Sequence, residues 1–352
     1  MTNWLKKIAL ATSVLGATTV SSVAYVFRKE LATLKSVQRI APGLFEMTYH
    51  GDYGLEKFLQ TGARTDAELI HFVTRNVMKG FPVTLAIPDL SCTTFRAKHS
   101  DAGYLFGRNF DLAQGPTLVM HTAPPNGYAS VAITHLPFLG FADDDSLKGI
   151  HNRITTLAAP YVPMDGMNEK GLAIGILLLP DTPTAQERGN IPIMCTTAIR
   201  LVLDQAATVE EAIALMARYD MHDSAASAYH YQLVDATGAS AIVEYVNHEM
   251  VVLRHKTNRQ AATNFYQHPS KTTFGYGHER YGKVMDKLGA KNDTLTPAEA
   301  MQLLADVKLV GEADPFSNQP AWTLWSAVYE LDKRSVTLAA HRNYNTLHTF
   351  TI

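Results

Sequence analysis

The order of hydrophobic and polar positions divides the chain into two parts that meet near residue 91. From Glu30 to Leu90 the pattern is mostly helical. An apolar stripe at helical spacing is formed by Leu69, Ile70, Val73 and Val77. From Ser91 onward, short apolar runs between turn residues predict β-strands. The predicted strands are Thr93–Ala97, Tyr104–Asp111, Thr117–Thr122, Tyr128–Leu136, Val162–Met167, Leu172–Leu179, Tyr229–Val234, Ala241–Val246, Leu324–Leu331 and Ser335–His341.

Two capped helices interrupt the strands. Thr208 and Thr296 each precede a glutamate by three residues, the pattern of an N-terminal capping box, and Pro297 suits the first helical position. Strands grouped at both ends, with helices between them, predict an α+β sandwich of two packed sheets covered by helices.

The first 24 residues have the layout of a secretory signal. Lys6 and Lys7 precede an apolar run over 8–27, and Ala24 ends a small-x-small cleavage site. Because that run approaches the ~20 residues that span a bilayer, an uncleaved signal anchor, and with it a membrane tether through residues 8–27, stays open. We expect a signal peptide or anchor over 1–24, a mostly helical prosegment over 25–91, a main domain over 92–352 and an extracytoplasmic location.

Composition excludes several classes of partner. The formal net charge is −2, with 31 basic and 33 acidic residues intermixed, so no basic face favours nucleic acid. Two cysteines are too few for a disulfide scaffold. Neither His248-Glu249 nor His278-Glu279 is followed by a second histidine at zinc-site spacing, and no phosphate-binding loop occurs. We expect no cofactor and no metal, and homo-oligomer formation stays open.

The chemistry of the main domain centres on Cys92. A free thiol, with a pKa of about 8.5, needs a base or a nearby cation to become a nucleophile. If the Ser91–Cys92 bond is cut, the new α-amine, with a pKa of roughly 7.7–8.0, can take the proton of the thiol on the same residue. Arg108 and Asp111 lie on the next predicted strand, where an antiparallel return places them near Cys92. The alternatives are a surface Arg–Asp pair and a buried inert cysteine; Cys195, at a predicted helix start, is a rival nucleophile without a partner motif.

Several motifs resemble the choloylglycine hydrolase, penicillin V acylase and acid ceramidase group of N-terminal cysteine (Ntn) hydrolases. The matching motifs are Cys92-Thr93, Gly107-Arg108-Asn109-Phe110-Asp111, Asp165–Leu172, Gln232–Gly238, Ile242–Glu244 and Ala262–Asn264, and the resemblance covers Cys92–Ile352. It implies a four-layer αββα sandwich of two antiparallel sheets. It also implies Cys92 as nucleophile and base, Arg108 and Asp111 as its partners, Asn264 as an oxyanion donor and Arg280, in Glu279-Arg280-Tyr281, as the residue that completes the site.

Two features depart from bile-salt hydrolases. Leu178 stands where those enzymes have a second polar oxyanion group, so Leu178 and Ile176 are expected to line an apolar substrate pocket, with a plain core strand as the alternative. Ninety-one residues precede Cys92, as in acid ceramidase relatives, whose prosegment is removed autocatalytically. The function expected is hydrolysis of a linear N-acyl amide. Its alternatives are an acyltransferase of the same fold and a membrane-tethered, non-catalytic lipid-binding relative.

Overall fold

The computed structural model of the protein describes residues 27–83, 85, 91–254, 257, 259–313 and 318–352. The β-strands are β1 Gln38–Ala41, β2 Leu44–Tyr49, β3 Ser91–His99, β4 Tyr104–Leu112, β5 Thr117–Thr122, β6 Ser130–His135, β7 Asp165–Asn168, β8 Ala173–Leu179, β9 Pro192–Met194, β10 Asp220–His222, β11 Ala228–Val234, β12 Ser240–Val246, β13 Glu249–Leu253, β14 Gln260–Ala262, β15 Asn264–Phe265, β16 Gly275–Tyr276, β17 Thr294–Leu295, β18 Val310–Ala313, β19 Pro320–Glu330, β20 Ser335–Ala340 and β21 His348–Thr351. The α-helices are α1 Arg28–Ser36, α2 Leu55–Thr61, α3 Asp66–Phe72, α4 Cys195–Gln205, α5 Val209–Met216, α6 His278–Ala290 and α7 Pro297–Asp306. A π-helix spans Val73–Val77, and 3₁₀ segments span Leu136–Leu139, Asp145–Leu147 and Asn152–Tyr161.

Two large sheets form the centre of the molecule. One has nine strands in the order β1-β2-β5-β6-β7-β8-β11-β12-β13, and the other has the path β14-β3-β4-β19-β20-β21 with β17 and β18 at its sides. Helices α4 and α5 pack on the first sheet, and α6 and α7 pack on the second. Strand β3 faces β8 across the interface between the sheets. This is the four-layer αββα arrangement expected from the sequence.

The sequence patterns explain why these elements form. Strand β8 is buried along its whole length, as its run of apolar residues on both faces predicts for a strand between two layers. Thr296 caps α7 with the reciprocal capping box, and Pro297 takes the first helical position. At α5 the Thr208 side chain accepts from the Glu211 N–H, as predicted.

The N-terminal segment differs from the prediction. The expectation of a mostly helical prosegment is wrong over 38–49, where the chain forms β1 and β2. Strand β2 pairs in parallel with β5 over six residues, from Leu44–Thr117 to Tyr49–Thr122. The physical reason is that β2 forms its backbone hydrogen bonds with β1 and β5 and buries its apolar side chains in the main core, so tertiary structure sets its conformation.

The predicted signal segment, 1–24, and almost all of the predicted tether, 8–27, lie outside the described residues. Within the part of the chain that the structure describes, no helix has both the length and the apolar character needed to cross a membrane.

Candidate active site

The β3–β4 ladder positions the motif residues around Cys92. The two strands run antiparallel, with Ser91 opposite Asp111, Cys92 opposite Phe110 and Thr94 opposite Arg108. Gly107 is required in the motif because a Cβ there would lie 2.3 Å from a ring carbon of Phe95. The strand return predicted from the sequence is therefore present.

Asn264 and Arg280 hold the backbone of Cys92 from the neighbouring segments. The Cys92 N–H donates to Asn264 Oδ1 at 2.8 Å, and Arg280 Nη1 donates to the Cys92 carbonyl at 2.7 Å. Arg280 Nη1 also donates to Thr93 Oγ1 at 2.7 Å, and Nη2 donates to Asn264 Oδ1 at 2.8 Å. The peptide groups on both sides of the Cys92 α-carbon are thus fixed by two buried polar side chains.

Arg280 reaches Cys92 from the first turn of α6. The preceding N-cap, Gly277, has φ +84°, and a Cβ on it would lie 2.8 Å from Arg280 Nη2. A side chain at position 277 would therefore collide with the guanidinium and strain the backbone. The glycine lets the helix begin close enough for Arg280 to enter the site.

Arg108 is held on the same side of the sheet as Cys92. Its Nε donates to Asp165 Oδ2 at 3.2 Å, and both side chains are fully buried. Asp165 is fixed in turn by Trp325 Nε1, at 3.0 Å, and by the Tyr329 hydroxyl. Among the described residues, Arg108 Nη1 and Nη2 have no hydrogen-bond partner of good geometry. The Arg108 guanidinium is anchored to Asp165 through Nε, and it interacts with the Cys92 thiol.

The Cys92 thiol is neutral in the uncleaved chain. Burial raises its pKa to about 11, and the positive charge of Arg108 is the largest opposing influence. Asp111 raises that pKa further through its negative charge, and Arg280 lowers it. In the uncleaved chain Cys92 is therefore a thiol at neutral pH, and a base would be needed to form the thiolate.

Asp111 is the second titrating group of the site. Burial raises its pKa to about 6, against the lowering effects of Arg280 and of the hydrogen bond that Thr323 donates. Arg280 Nη1 also lies 3.5 Å from Asp111 Oδ2. The carboxylate form, which can orient an amine, is therefore present above about pH 6 and is lost as the pH falls through that value.

The pH dependence provides one test of this arrangement. We expect Thr323→Val to move the acidic limb of the activity profile to higher pH by about one to two pH units, since a hydrogen bond to a charged group contributes about 1.5–3 kcal/mol. The sign follows because the Thr323 hydroxyl stabilises the carboxylate, and its loss raises the Asp111 pKa further. The measurement is the rate of amide hydrolysis between pH 4 and pH 8.

Thr337→Val is the matched control, because Thr337 lies on β20 and bonds only Thr349 among the described side chains. Its acidic limb should coincide with that of the wild type. An unmoved limb in Thr323→Val would mean that Asp111 does not set the acidic dependence.

The two predicted pocket residues lie elsewhere. Ile176 pairs with Tyr231, whose hydroxyl donates to the Cys195 carbonyl on α4, so this face of β8 meets the helix layer. On the other face, a Cβ on Gly175 would approach Phe106 of the second sheet. Strand alternation therefore turns the side chains of Ile176 and Leu178 toward the helix layer, away from Cys92. The expectation that they line the pocket is wrong. Successive side chains of a strand point to opposite faces, and Ile176 and Leu178 lie on the face opposite to the one that Gly175 presents to the other sheet.

Leu178 contributes to the site through its backbone. Its carbonyl accepts a hydrogen bond from Asn264 Nδ2 at 2.9 Å. The side chain belongs to the main hydrophobic core and is fully buried. The contact therefore anchors the Asn264 amide on β8.

Cys195, the rival nucleophile, is a core residue. It begins α4 and is fully buried, with its sulfur 3.2 Å from Ser224 Oγ. Burial raises its pKa to about 12, and the charge of Asp223 raises it further. The described groups that most affect the pKa of this thiol are Asp223, Ser224 and Asp66, whereas Arg108 and Arg280 act on Cys92.

Sequence reasoning missed three residues that the site uses. Thr93 and Thr323 bind Arg280 and Asp111, and Asp165 anchors Arg108. Single threonines in apolar strands give no signal of a polar contact. Asp165 begins the motif Asp165–Leu172, and its position shortly before a buried strand was the signal that could have marked it as a buried polar partner.

The chain is similar to proteins of known family. Residues 98–345 match the family model for acyl-coenzyme A:6-aminopenicillanic acid acyl-transferase. The chain belongs to this acyl-transferase family. The matched range begins after Cys92 and includes Arg108, Asp111, Asn264 and Arg280. Penicillin V acylase of Pectobacterium atrosepticum is 33% identical over 114 residues, which are 28% of this chain and 29% of that protein.

Solved structures confirm the fold of this member of the acyl-transferase family. A mutant of conjugated bile acid hydrolase from Clostridium perfringens has a TM-score of 0.54 at 16% identity, over 74% of this chain and 92% of that one. A second variant of the same hydrolase also has a TM-score of 0.54 at 16% identity, over 74% and 92%. The predictions of an Ntn-hydrolase family and an Ntn-hydrolase sandwich are confirmed.

Proposed function

We propose that this protein is the precursor of an amidohydrolase in which Cys92 becomes the N-terminal nucleophile and cleaves linear N-acyl amides. The observation that carries the proposal is the convergence of Asn264 and Arg280 on the two peptide groups of Cys92, with Arg108 beside its thiol. A buried structural cysteine needs none of these contacts. The relatives named above are a penicillin V acylase and a conjugated bile acid hydrolase by name, which supports the same reaction class.

Self-cleavage is the first reaction of this proposal. The Cys92 sulfur attacks the Ser91 carbonyl carbon, the C–N bond to Cys92 breaks, and the departing nitrogen takes the thiol proton to become the α-amine. Water then hydrolyses the thioester, which releases the Ser91 carboxylate and restores the thiol. In the uncleaved chain the Cys92 N–H donates to Asn264, so Asn264 already holds the nitrogen that leaves.

Amide turnover uses the same atoms in a second cycle. The α-amine removes the thiol proton, the sulfur attacks the substrate carbonyl, and the protonated amine passes its proton to the leaving nitrogen. Arg108 stabilises the thiolate by its charge. Asp111, ionised above about pH 6 and opposite Ser91 on the neighbouring strand, is the carboxylate proposed to orient the α-amine once Ser91 has left. Water completes hydrolysis of the acyl-enzyme.

The experiment that tests the reaction class is a substrate panel with product analysis. Penicillin V, conjugated bile acids, N-acyl amino acids, N-acyl lactones and ceramides sample different acyl groups and amines. We expect one of them to release a carboxylic acid and an amine in equal amounts. Wild-type protein that bears a free N-terminal Cys92 and cleaves no member of a broadened panel would contradict the proposal.

An acyltransferase is the second candidate, and the matched family is itself named for acyl transfer. The two activities share every step up to the thioester and differ in whether water or an amine accepts the acyl group. Added amine should raise the yield of N-acyl product if transfer is the function, and leave free acid dominant if hydrolysis is. A non-catalytic lipid-binding relative would instead keep its Ser91–Cys92 bond.

The residues before Cys92 are proposed to remain with the enzyme after cleavage. Leu44, Met47 and Phe58 are fully buried against the main core. The Tyr53 hydroxyl donates to Asp204 Oδ2 at 2.6 Å in the interior. Since each buried large apolar side chain contributes roughly 1.5–3 kcal/mol, we expect both fragments to co-elute in native size-exclusion chromatography. Separation without denaturant would contradict this.

Leu44→Ala should lower the urea concentration at which the fragments separate, since a buried Leu→Ala change costs about 2–5 kcal/mol. Leu347→Ala is the matched control, because Leu347 is 45% exposed. Equal midpoints for the two variants would show that β2 does not hold the fragments together.

An extracytoplasmic location, secreted, periplasmic or membrane-anchored, completes the proposal. Its support is the basic-then-apolar pattern over residues 1–24. Fractionation of expressing cells, with N-terminal sequencing of the longest form, tests both export and signal removal. A cytoplasmic chain that keeps residue 1 would contradict it.

A further inference from the structure

A buried histidine–glutamate pair on the nine-stranded sheet lies next to the segment that carries Asn264. His230 on β11 and Glu244 on β12 are both fully buried, with Nδ1 3.2 Å from Oε1. Neither side chain touches Cys92 in the described contacts. The pair instead contacts the backbone of the segment 263–268, which carries Asn264 from the end of β14.

The contacts fall on both sides of Asn264. His230 Nε2 lies 2.7 Å from the Thr263 carbonyl, immediately before Asn264. Glu244 Oε1 accepts from the Gln267 N–H at 2.7 Å, and Oε2 accepts from the His268 N–H at 3.0 Å. One buried pair therefore fixes the backbone before and after the residue that holds the Cys92 nitrogen.

Every polar atom of the pair has a partner. The Thr263 carbonyl only accepts, so His230 Nε2 donates to it. Both Glu244 oxygens accept from backbone N–H groups, and Oε1 also lies 3.2 Å from His230 Nδ1. Buried polar groups persist where they are hydrogen-bonded in this way.

We infer that His230 and Glu244 are positioning residues that set the placement of Asn264 for catalysis. The inference rests on the function proposed for Asn264. A polar donor must lie within a narrow distance of the developing oxyanion, and a misplacement near 1 Å can cost about 10²-fold in rate. A pair that ties both flanks of Asn264 to the opposite sheet supplies that constraint.

The test is a double-mutant cycle in the full-length, self-processed protein. Glu244→Gln preserves size but replaces one acceptor oxygen with an NH2 donor, and it should lower kcat about tenfold while KM stays within about twofold. In an Asn264→Ala background the same change should alter kcat less than about twofold, because the residue that it positions is gone. A tenfold loss in both backgrounds would overturn the inference.

A second readout separates positioning from general damage. The rate at which iodoacetamide labels Cys92 should stay within about twofold in Glu244→Gln, since Arg108 and Asp111 set thiol reactivity. A parallel loss of labelling and turnover would indicate a disturbed site and overturn the inference. His121→Gln is the control, because His121 forms a similar pair with Glu46 at 3.0 Å on a partly exposed face.

If Glu244→Gln fails to fold, His230→Gln takes its place. Its amide can still donate to the Thr263 carbonyl, so the loss in kcat should be smaller than tenfold and should again vanish without Asn264. Wild-type kcat in His230→Gln would overturn the inference and leave the proposed function standing. A wild-type protein that cleaves neither itself nor any amide overturns both.

Discussion

Cys92→Ala is expected to give a protein in which the peptide bond between positions 91 and 92 stays intact and which hydrolyses no amide above background. The reason is that both proposed reactions need the same sulfur, and an alanine at 92 offers neither a nucleophile nor a proton to transfer. The folded sandwich should survive, because Cys92 contributes one small side chain to a large core. Denaturing gel electrophoresis and an assay of the best panel substrate measure the two losses.

Cys195→Ala is the matched control for that variant. Cys195 is equally buried, but the described partner of its sulfur is the Ser224 hydroxyl, whereas the positive charge of Arg108 acts on Cys92. This variant should process and turn over at rates close to those of the wild type. Two outcomes would contradict the assignment of Cys92 as the nucleophile. One is amide hydrolysis by Cys92→Ala, and the other is loss of hydrolysis in Cys195→Ala with the fold retained.

Asn264→Ala has the second-largest expected effect, a fall in kcat of about 10²-fold with KM nearly unchanged. An amide N–H directed at the tetrahedral intermediate stabilises charge that the ground state lacks, so its removal slows chemistry more than binding. The structure adds a second reason, because Asn264 Oδ1 also holds the Cys92 nitrogen at 2.8 Å. Self-cleavage should slow with turnover, since both use this side chain.

Steady-state kinetics on the processed fraction gives the measurement, with Asn126→Ala as the control. Asn126 is exposed and donates only to Glu56 among the described residues. If Asn264→Ala kept wild-type kcat, the oxyanion donor would be another group. If it raised KM alone, Asn264 would serve ground-state binding.

The strands and the catalytic ladder were predictable because local pattern and tertiary structure agree there. Thr117–Thr122 is both the predicted and the observed span of β5. The motif Gly107–Asp111 fixes its own register, since the glycine admits Phe95 and the alternation brings Arg108 to the Cys92 side. The conformation of β2 was not predictable, because it depends on pairing with β5, about 70 residues away.

The errors within the site come from strand phase and from long-range contacts. Ile176 and Leu178 were assigned to the pocket from their apolar character, yet a strand apolar on both faces does not reveal which face meets Cys92. The Arg280 contact crosses 188 positions to Cys92, and that of Thr323 crosses 212 to Asp111. Spacing along one chain carries no information about such pairs, so Arg280 came from family resemblance and Thr323 was missed.

Intact-mass spectrometry of the purified wild-type protein tests the central claim most directly. The account predicts a chain that begins at Cys92 with a free α-amine and carries an added acyl mass when substrate is trapped with acid. A protein that hydrolyses amides while its Ser91–Cys92 bond stays uncut would contradict it, because the amine that serves as base would not exist.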